Sequence, residues 1–270
     1  MTKKSEELGN RIRSHALDMT RLGSSSHIAS ILSIADIIAV LYEEIMYFNS
    51  KNPTDKRRDR FILSKGHAGA AVYAALAEKG FFPKSQLELH CANGSNLSGH
   101  ISHKKVPGVE FSTGSLGHGL SVGCGMAIYA KLEKLKHKVI VLLSDGECDE
   151  GSNWESILFA SHHKLDNLVV IIDYNKIQSI ESVSDTLELE PFAKKWAAFG
   201  WDVHEVNGHS HKDLAKILKK NNKLTKPKCI IANTVKGKGV SFMENNNLWH
   251  YRSPQGEEYL MAKKELNKKT

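Results

Sequence analysis

Short apolar runs alternate along the chain with longer segments in which apolar residues recur every three or four positions. The runs 139–143 and 168–172 have the length and the β-branched content of buried strands. The segment between them has a helical pattern, so the stretch 139–178 predicts a strand, a crossover helix and a second, parallel strand. Shorter strands are predicted at 61–63, 201–206 and 228–234. This alternation predicts an α/β fold in which a parallel sheet carries helices on both faces.

The helical pattern is strongest near the N-terminus, where it predicts helices at 5–22 and 28–48, and it returns at 210–221. The segment 92–119 interrupts the alternation, because it is rich in glycine and histidine and has no regular period. A loop of this length inside a compact domain is usually functional or disordered, and its composition favours a functional loop. We find no repeat or linker, so residues 1–270 are expected to form a single domain.

The charge pattern adds little to this picture. The formal net charge is +7, and the simplest interpretation is a lysine-rich solvated surface. Attraction for anionic substrates or cofactors is the second interpretation. Nucleic-acid binding is the third, and we expect none, because the basic residues are scattered and no aromatic-basic module is present.

The cysteine pattern and the apolar runs bear on location. The four cysteines form no CxxC pair and no zinc spacing, which is typical of a reducing cytoplasm. No apolar run reaches the roughly 18 residues of a membrane span. The protein is therefore expected to be soluble and cytoplasmic.

Polar residues follow two of the predicted strands. Asp145 and Gly146 come after the first strand, and Asn175 follows the second. Taken alone, Asp145 is explained by a helix N-cap with a glycine turn. However, the carboxyl ends of parallel strands share one edge of the sheet, so Asp145 and Asn175 are expected to meet. A carboxylate, an amide oxygen and a backbone carbonyl suit Mg²⁺ or Ca²⁺, and a nearby helix N-terminus suits an anion. The stretch predicts a diphosphate site.

The glycine-rich run from Gly114 to Gly119 is a weaker signal. Its spacing does not match the GxGxxG dinucleotide fingerprint, and no strong strand precedes it. It permits close backbone approach to a planar or phosphorylated ligand.

Four histidines lie in breaks between predicted elements, next to serine, glycine or tryptophan: His27, His67, His100 and His250. Taken singly, each is more simply a structural or solvated residue. Together, at the ends of elements, they are expected to bind hydroxyls or phosphates or to move protons. No HxxxH or HExxH spacing is present, so they are not predicted to bind zinc.

These residues resemble the thiamine diphosphate-dependent transketolases. Asp145-Gly146 followed by Asn175 is similar to the GDG…N motif of that family. Further similar segments follow in the family's order and extend the resemblance over roughly residues 10–255: 63–76, 98–100, 107–127, 145–155 and 235–250. The resemblance implies a thiamine diphosphate-binding domain of the type that holds the diphosphate and the metal.

The resemblance also implies a ligand set. Asp145, Asn175 and the backbone carbonyl of Ile177 would hold Mg²⁺ or Ca²⁺, and Asn175 would also contact the cofactor. Gly114 and Leu116 would line its aminopyrimidine ring. The cofactor carries the carbon chemistry, and the protein places and polarises the reactants.

Further roles concern the diphosphate and the sugar. Gly146, His67 and His250 would contact the diphosphate. His27 and His100, with His67 and His250, would bind hydroxyls of the donor sugar or assist proton transfer. Two further acidic residues match family residues that link the two cofactor sites of a dimer: Glu150 and Glu155.

This sequence departs from the family pattern at several positions, which leaves the sugar open. Ser144 replaces a glycine, Ile101 replaces a proline, and Tyr251 follows His250 where a small residue is usual. The predicted metal ligands are unaffected.

Transketolases carry two further domains on the same chain, and one of them brings the glutamate that activates the cofactor. This chain of 270 residues resembles the N-terminal subunit of a split transketolase. We expect it to be inactive alone and to work with a second subunit that carries the pyrimidine-binding and C-terminal domains, as an α2β2 heterotetramer. The expected reaction moves a two-carbon ketol unit from a ketose to an aldose, with sugars or sugar phosphates as substrates.

Three alternatives remain at this point. One is a subunit of another thiamine diphosphate enzyme, similar to 1-deoxyxylulose-5-phosphate synthase or to a 2-oxoacid decarboxylase. The second is an NAD(P)-dependent dehydrogenase. The third is a binding or regulatory subunit that keeps the fold without catalysis.

Overall fold

The structure, a computed structural model, describes residues 2–220 and 225–268. Its centre is a five-stranded parallel sheet with the strand order β1-β2-β3-β5-β4. The strands are β1 (Arg60–Leu63), β2 (Val139–Ser144), β3 (Leu168–Tyr174), β4 (Asp202–Asn207) and β5 (Lys228–Asn233). The predicted parallel α/β sheet is confirmed, and the predicted strands agree with the observed ones to within one or two residues.

Helices connect the strands and cover both faces of the sheet. They are α1 (Thr2–Leu22), α2 (Ile28–Ser33), α3 (Ala35–Val40), α4 (Gly69–Glu78), α5 (Gly119–Leu132), α6 (Gly151–His162), α7 (Val183–Thr186), α8 (Phe192–Ala198), α9 (His211–Lys219), α10 (Leu248–Tyr251) and α11 (Gly256–Asn267). Short 3₁₀ helices lie at Gly66–Ala68, Lys84–Leu89 and Gly146–Asp149.

The alternation of side chains along β2 divides the interior into two cores. Ile140 and Leu142 pack with residues of α1 to α4, α9 and α11. Val139, Val141 and Leu143 pack on the other face, with residues of α5, α6 and α8. Every residue of β2 and β3 is therefore buried, which explains why both strands read as continuous apolar runs.

The predicted single helix 28–48 is wrong. The chain forms α2 and α3, which are separated at Ile34, and then a π-helical turn that ends at Ile45. The hydroxyl of Ser33 donates to the carbonyl of Ser30 and to Asp173, 2.6 Å away. Serine side chains that bond to the backbone compete with the helical pattern, and this one also ties α2 to the polar end of β3.

Two other predictions have mixed outcomes. The segment 92–118 contains no helix or strand, as expected. The predicted helix 210–221 is observed as α9, which ends at Lys219, while residue 221 lies outside the described residues. The short helices α7 and α10 were not predicted, because four residues are too few to show a period.

The sheet places the ends of its strands along one edge. Leu63 of β1 pairs with Leu142, Ser144 of β2 pairs with Asp173, and Tyr174 of β3 pairs with Asn233. The loops that follow these strands therefore emerge side by side, where ligands bind in open parallel sheets.

Candidate active site

A cavity of about 280 Å³ opens at this edge of the sheet. Its walls contain every residue predicted to bind cofactor, metal or sugar except Glu150 and Glu155: His27, His67, His100, Gly114, Leu116, Asp145, Gly146, Asn175, Ile177 and His250. Residues that are far apart in the sequence are thus brought to one place by the ends of β1, β2 and β3 and by the loops around them.

The oxygen ligands lie at the floor of the cavity. One carboxylate oxygen of Asp145 accepts from the backbone N–H of Gly146 at 2.8 Å, and the other accepts from the N–H of Lys176 at 2.7 Å. The second bond spans from β2 to the turn after β3, where Asn175 lies. The side chain of Asn175 accepts from the N–H of Ile177 at 3.1 Å. The expected meeting of Asp145 and Asn175 is confirmed.

Asp145 has no basic side chain bonded to it within residues 2–220 and 225–268. It is 2% exposed. Burial, and then the negative charge of Asp173, raise the pKa of Asp145 to about 7. A buried carboxylate in this setting is stabilised by a cation that arrives from outside.

Asp173 and Lys65 form a buried ion pair beneath this floor, and both are almost fully enclosed. Burial alone would raise the pKa of Asp173, but the Lys65 ammonium and hydrogen bonds hold it below its usual value. Asp173 also accepts from the amide of Asn175 at 3.1 Å. Because this bond holds the amide nitrogen, the oxygen of Asn175 is directed away from Asp173.

Lys236 is a second buried lysine of the cavity, with 1% exposure. Its ammonium donates to the carbonyls of Ile177 at 3.1 Å and Gln178 at 2.6 Å. Burial, and then the charge of Lys65, lower the pKa of Lys236 to about 8. The side chain remains cationic at neutral pH and suits an anion.

Lys65 and Lys236 were not predicted as site residues, although both lie in segments that resemble the family. A lysine in a polar loop has a simpler explanation as a solvated residue. Only burial against the cavity distinguishes these two from the other lysines.

The four histidines form one cluster on the cavity wall. Ring centroids lie 5.1 Å apart for His27 and His67, 4.9 Å for His27 and His250, and 5.7 Å for His27 and His100. The backbone holds this cluster, since the N–H of His27 donates to the carbonyl of His250 at 2.8 Å. His27 adopts a left-handed conformation with φ 74°, which marks a strained position at the site.

Burial keeps three of these rings neutral, those of His27, His67 and His250. Burial, and then neighbouring positive charge, lower the pKa of His27 to about 4 and that of His250 to about 3. The pKa of His67 lies well below its usual value for the same reasons. A neutral imidazole offers one donor and one acceptor nitrogen. Such rings can bind hydroxyls and exchange protons with them.

The glycine-rich loop lines the cavity through Gly114 and Leu116. It is fixed by the N–H of Gly117, which donates to the buried carboxylate of Glu147 at 2.9 Å. A Cβ at Gly119 would lie 2.3 Å from the hydroxyl of Ser64. A Cβ at Gly117 would lie 2.7 Å from the Cβ of Glu150. Both glycines are thus required by close packing against neighbouring segments, a role that sequence spacing does not reveal.

Glu150 and Glu155 lie outside the cavity and are exposed, at the start of α6 and within it. Large apolar side chains are also exposed on α5 and α6: Tyr129, Leu132, Leu158 and Phe159. The two glutamates thus lie at or within a helix, α6, that also exposes Leu158 and Phe159.

The residues present fit a metal–diphosphate group. Asp145, Asn175 and the carbonyl of Ile177 are the hard oxygen ligands that Mg²⁺ and Ca²⁺ prefer. The Nδ1 atom of His250 is buried and has no hydrogen-bond partner among the described residues, as expected for an atom that bonds a ligand. Within the same residues no group of three or more His, Cys, Asp or Glu side chains could hold a metal.

The fold and the cavity together define a domain that binds a diphosphate cofactor at the carboxyl edge of a parallel sheet. The chain belongs to the transketolase family, because the family model for the transketolase thiamine diphosphate-binding domain matches residues 4–268. It therefore binds thiamine diphosphate and is part of a transketolase-type transferase.

Two similar proteins are subunits of about the same length. One subunit of the apulose-4-phosphate transketolase of Phocaeicola vulgatus is 40% identical over 95% of this chain and 92% of that protein. The 6-deoxy-6-sulfo-D-fructose transketolase subunit SqwG of a Clostridium species is 37% identical over 96% of this chain and 94% of that protein. The name "subunit" indicates that those enzymes have a further chain.

Single-chain transketolases are longer. Human transketolase is 39% identical over 91% of this chain, which covers 39% of that protein. The crystal structure of transketolase from Campylobacter jejuni superposes with a TM-score of 0.92 at 32% identity, over 98% of this chain and 43% of that one. The chain thus spans about two fifths of the single-chain enzymes.

Within the described residues, no helix is both long enough and apolar enough to cross a membrane.

Proposed function

We propose that this chain, as a single domain over residues 1–270, is the N-terminal subunit of an enzyme that transfers a two-carbon ketol unit from a ketose to an aldose. The observation that carries the proposal is the cavity itself. It combines a buried carboxylate with no basic side chain bonded to it among the described residues, two buried lysines and four clustered imidazoles. The family membership favours this proposal over a dehydrogenase.

The proposed metal is Mg²⁺ or Ca²⁺, held by Asp145, Asn175 and the carbonyl of Ile177. The Lys236 ammonium donates to that carbonyl at 3.1 Å. A metal ion would compete with it for the oxygen, and the ammonium would then face the diphosphate. Mg²⁺ keeps few protein ligands and uses phosphate oxygens for the rest.

The remaining roles follow from the position of each group. His67, His250 and the N–H of Gly146 would bind the diphosphate, and Gly114 with Leu116 would contact the aminopyrimidine. Thiamine diphosphate, when bound, supplies the carbon nucleophile and the electron sink for breaking and forming the carbon–carbon bond.

The histidine cluster would act on the sugar. The imidazoles of His27 and His100, with those of His67 and His250, would bind the hydroxyls of the ketose and take or return a hydroxyl proton as the carbon–carbon bond breaks or forms. The substrates would be sugars or sugar phosphates. Relatives are named for apulose-4-phosphate and for 6-deoxy-6-sulfo-D-fructose, and both names describe sugars with an anionic group.

The partner would be a second chain that carries the pyrimidine-binding and C-terminal domains, in an α2β2 heterotetramer. Relatives of similar length are named as individual subunits of transketolases. Glu150 and Glu155 lie on an exposed surface with apolar neighbours, where they could link two cofactor sites. All four cysteines are free thiols, in keeping with a cytoplasmic location.

A thermal shift experiment tests the cofactor and the metal. Thiamine diphosphate with Mg²⁺ should raise the melting temperature of the purified chain, because a ligand that binds only the folded state stabilises it. NAD should have no effect, and a chelator should remove most of the shift. A shift with NAD, or an equal shift with and without a divalent metal, would contradict this assignment.

A reconstitution experiment tests the split enzyme. Ketol transfer should need both the chain and its partner, and the Asp145→Ala variant should abolish it in the same mixture. Ketol transfer by the purified chain alone would rule out the dependence on a second subunit. The range of accepted substrates would separate a transketolase from a 1-deoxyxylulose-5-phosphate synthase or a 2-oxoacid decarboxylase.

A further inference from the structure

A second polar cluster lies behind the cavity, around Asp36. Arg13 donates to both carboxylate oxygens of Asp36, at 2.8 and 2.5 Å. His209 contacts the same carboxylate through Nδ1 at 2.8 Å, and His211 through Nε2 at 3.0 Å. We call this set the Asp36 cluster. Its members come from α1, from α3, and from the loop before α9 together with the first residue of that helix, so it joins three parts of the fold.

The Asp36 cluster is bonded to the loop that carries Lys236. The backbone N–H of Val235 donates to Nε2 of His209 at 2.9 Å. The Nε atom of Arg13 donates to the carbonyl of Lys238 at 3.1 Å. Val235 and Lys238, which flank Lys236 in the loop, are thus held by the Asp36 cluster. The Lys236 side chain extends into the cavity.

These bonds fix the tautomer of His209. A backbone N–H can only donate, so Nε2 of His209 must accept and carries no proton. The proton of the neutral ring is therefore on Nδ1, where it is donated to Asp36. Burial alone would raise the pKa of Asp36, but Arg13 and the two histidines hold it well below its usual value. The ionised carboxylate of Asp36 thus fixes the orientation of the His209 ring. The ring in turn fixes the position of the Val235 backbone N–H.

Other bonds also hold the Lys236 loop: the N–H of Asn245 donates to the carbonyl of Lys236 at 2.8 Å, and the N–H of Gly239 donates to the carboxylate of Glu244 at 3.0 Å. The N–H of Gly237 donates to the carbonyl of Ala29 at 2.9 Å. Gly237 itself adopts φ 82°, and a Cβ there would lie 2.2 Å from the carbonyl oxygen of Met243. The loop follows a narrow path, and the His209 bond lies at its first residue.

We propose that His209 is a positioning residue for the cofactor site: it transmits the fixed geometry of Asp36 to the backbone of Val235 and so sets where the Lys236 ammonium lies. This inference rests on the proposed function, in which Lys236 faces the diphosphate. His209 does not touch the cofactor in this proposal. It lies outside the cavity wall, and its side chain is 14% exposed.

Two substitutions separate the two bonds of His209. In His209→Gln, the side-chain oxygen can take the place of Nε2 and accept from Val235, while the bond to Asp36 is lost. In His209→Asn, the amide nitrogen can take the place of Nδ1 and donate to Asp36, while the bond to Val235 is lost. His204→Asn is the matched control, because His204 is bonded to Asp202 at 3.0 Å on the edge strand β4 and does not line the cavity.

The first measurement is the dissociation constant of thiamine diphosphate with Mg²⁺ for the full chain, by calorimetry, with melting temperatures beside it. His209→Asn should weaken binding about 3- to 10-fold, which is the effect expected when one hydrogen bond is lost. His209→Gln and His204→Asn should stay within about 2-fold. Melting temperature should follow the opposite order, with His209→Gln lower than His209→Asn, because the bond to an ionised carboxylate is the stronger one.

A purely structural role predicts that affinity follows stability, so weaker binding in the less stable His209→Gln, or unchanged binding in both variants, would overturn the proposal. The second measurement needs no cofactor. Amide hydrogen exchange of residues 235–239 should be faster in His209→Asn than in the wild type and His209→Gln, and equal exchange in all three would also overturn it. A wild-type chain that fails to bind thiamine diphosphate would refute the proposed function, and the exchange measurement would still decide the role of His209.

Discussion

Two buried aspartates differ in how their charge is satisfied. Asp36 is 6% exposed and Asp145 is 2% exposed. Asp36 has one guanidinium and two imidazoles bonded to it. Asp145 is bonded only to backbone N–H groups within the described residues. The pKa of Asp36 lies well below its usual value despite burial, whereas burial and Asp173 raise that of Asp145 to about 7.

This difference separates structure from function. A buried charge with its partners supplied by the chain is a completed part of the fold. A buried charge without a cation of its own is unfavourable in the free protein and becomes favourable when a cation binds. The two aspartates can therefore be assigned to different roles without reference to any bound ligand, and the following predictions test that assignment.

The largest expected effect is a loss of stability when the Asp36 cluster is broken. Asp36→Asn leaves the Arg13 guanidinium buried without its counter-charge, and the loss of unfolding free energy should be about 3–5 kcal/mol. Urea denaturation measures it. The control is Asp166→Asn, which removes a half-exposed pair with Lys131 and should lose less than about 1 kcal/mol. A similar small loss for Asp36→Asn would show that the Asp36 cluster does not stabilise the fold.

The second effect concerns the cavity, through Asp145. Asp145→Asn should leave the unfolding free energy of the cofactor-free chain unchanged or raise it. The substitution removes a negative charge that burial and the neighbouring charge of Asp173 make unfavourable. The same variant should bind thiamine diphosphate with Mg²⁺ about 100-fold more weakly, equivalent to about 2.7 kcal/mol. Denaturation with and without the cofactor measures both. Asp149→Asn is the control, since Asp149 is in the same turn and does not line the cavity. A destabilised free chain with normal binding would reverse the assignment.

The smallest expected effect is on the pH dependence of stability, through the histidines of the cavity. In the folded chain the pKa of His250 is lowered from its ordinary value of 6.5 to about 3, first by burial and then by Lys236. As pH falls below 6.5 the unfolded chain takes up protons before the folded chain does, so stability decreases with falling pH.

Replacing His250 by Gln removes one of these groups. The acid limb of a plot of unfolding free energy against pH should become less steep between about pH 6 and pH 4. Above pH 7, where the ring is neutral in both states, the curves of the two proteins should run parallel. An acid limb as steep as that of the wild type would show that the buried His250 ring does not contribute to acid sensitivity.

The sequence predicted the sheet and most of the cavity for a definable reason. Asp145 and Asn175 follow apolar runs that could only be buried strands, and strand ends in a parallel sheet lie together. The histidine positions in breaks between elements gave a second, weaker signal. The resemblance to transketolases joined these signals into one site.

The residues that sequence reasoning missed are those whose role depends on the direction of a side chain. Lys65 and Lys236 are buried at the cavity, while most of the other lysines are at least partly exposed, and no local pattern distinguishes them. His209 contacts Asp36, from which it is separated by 173 positions. The break at Ile34 was missed for the same reason, since it accompanies a bond from Ser33 to Asp173 across the fold.

The glycines around the cavity determine how far its shape can be redesigned. A Cβ at Gly114 would lie 3.4 Å from the ring of His100, an ordinary contact, whereas one at Gly119 would collide with Ser64. The chain itself thus leaves room for alanine at position 114, and the methyl group would narrow the cavity on the side where Gly114 is proposed to contact the aminopyrimidine. A Cβ at position 119 would also lie 2.9 Å from the Cα atom of Ser64, so no side-chain replacement at position 64 makes room for it, and a redesigned cavity has to keep this glycine.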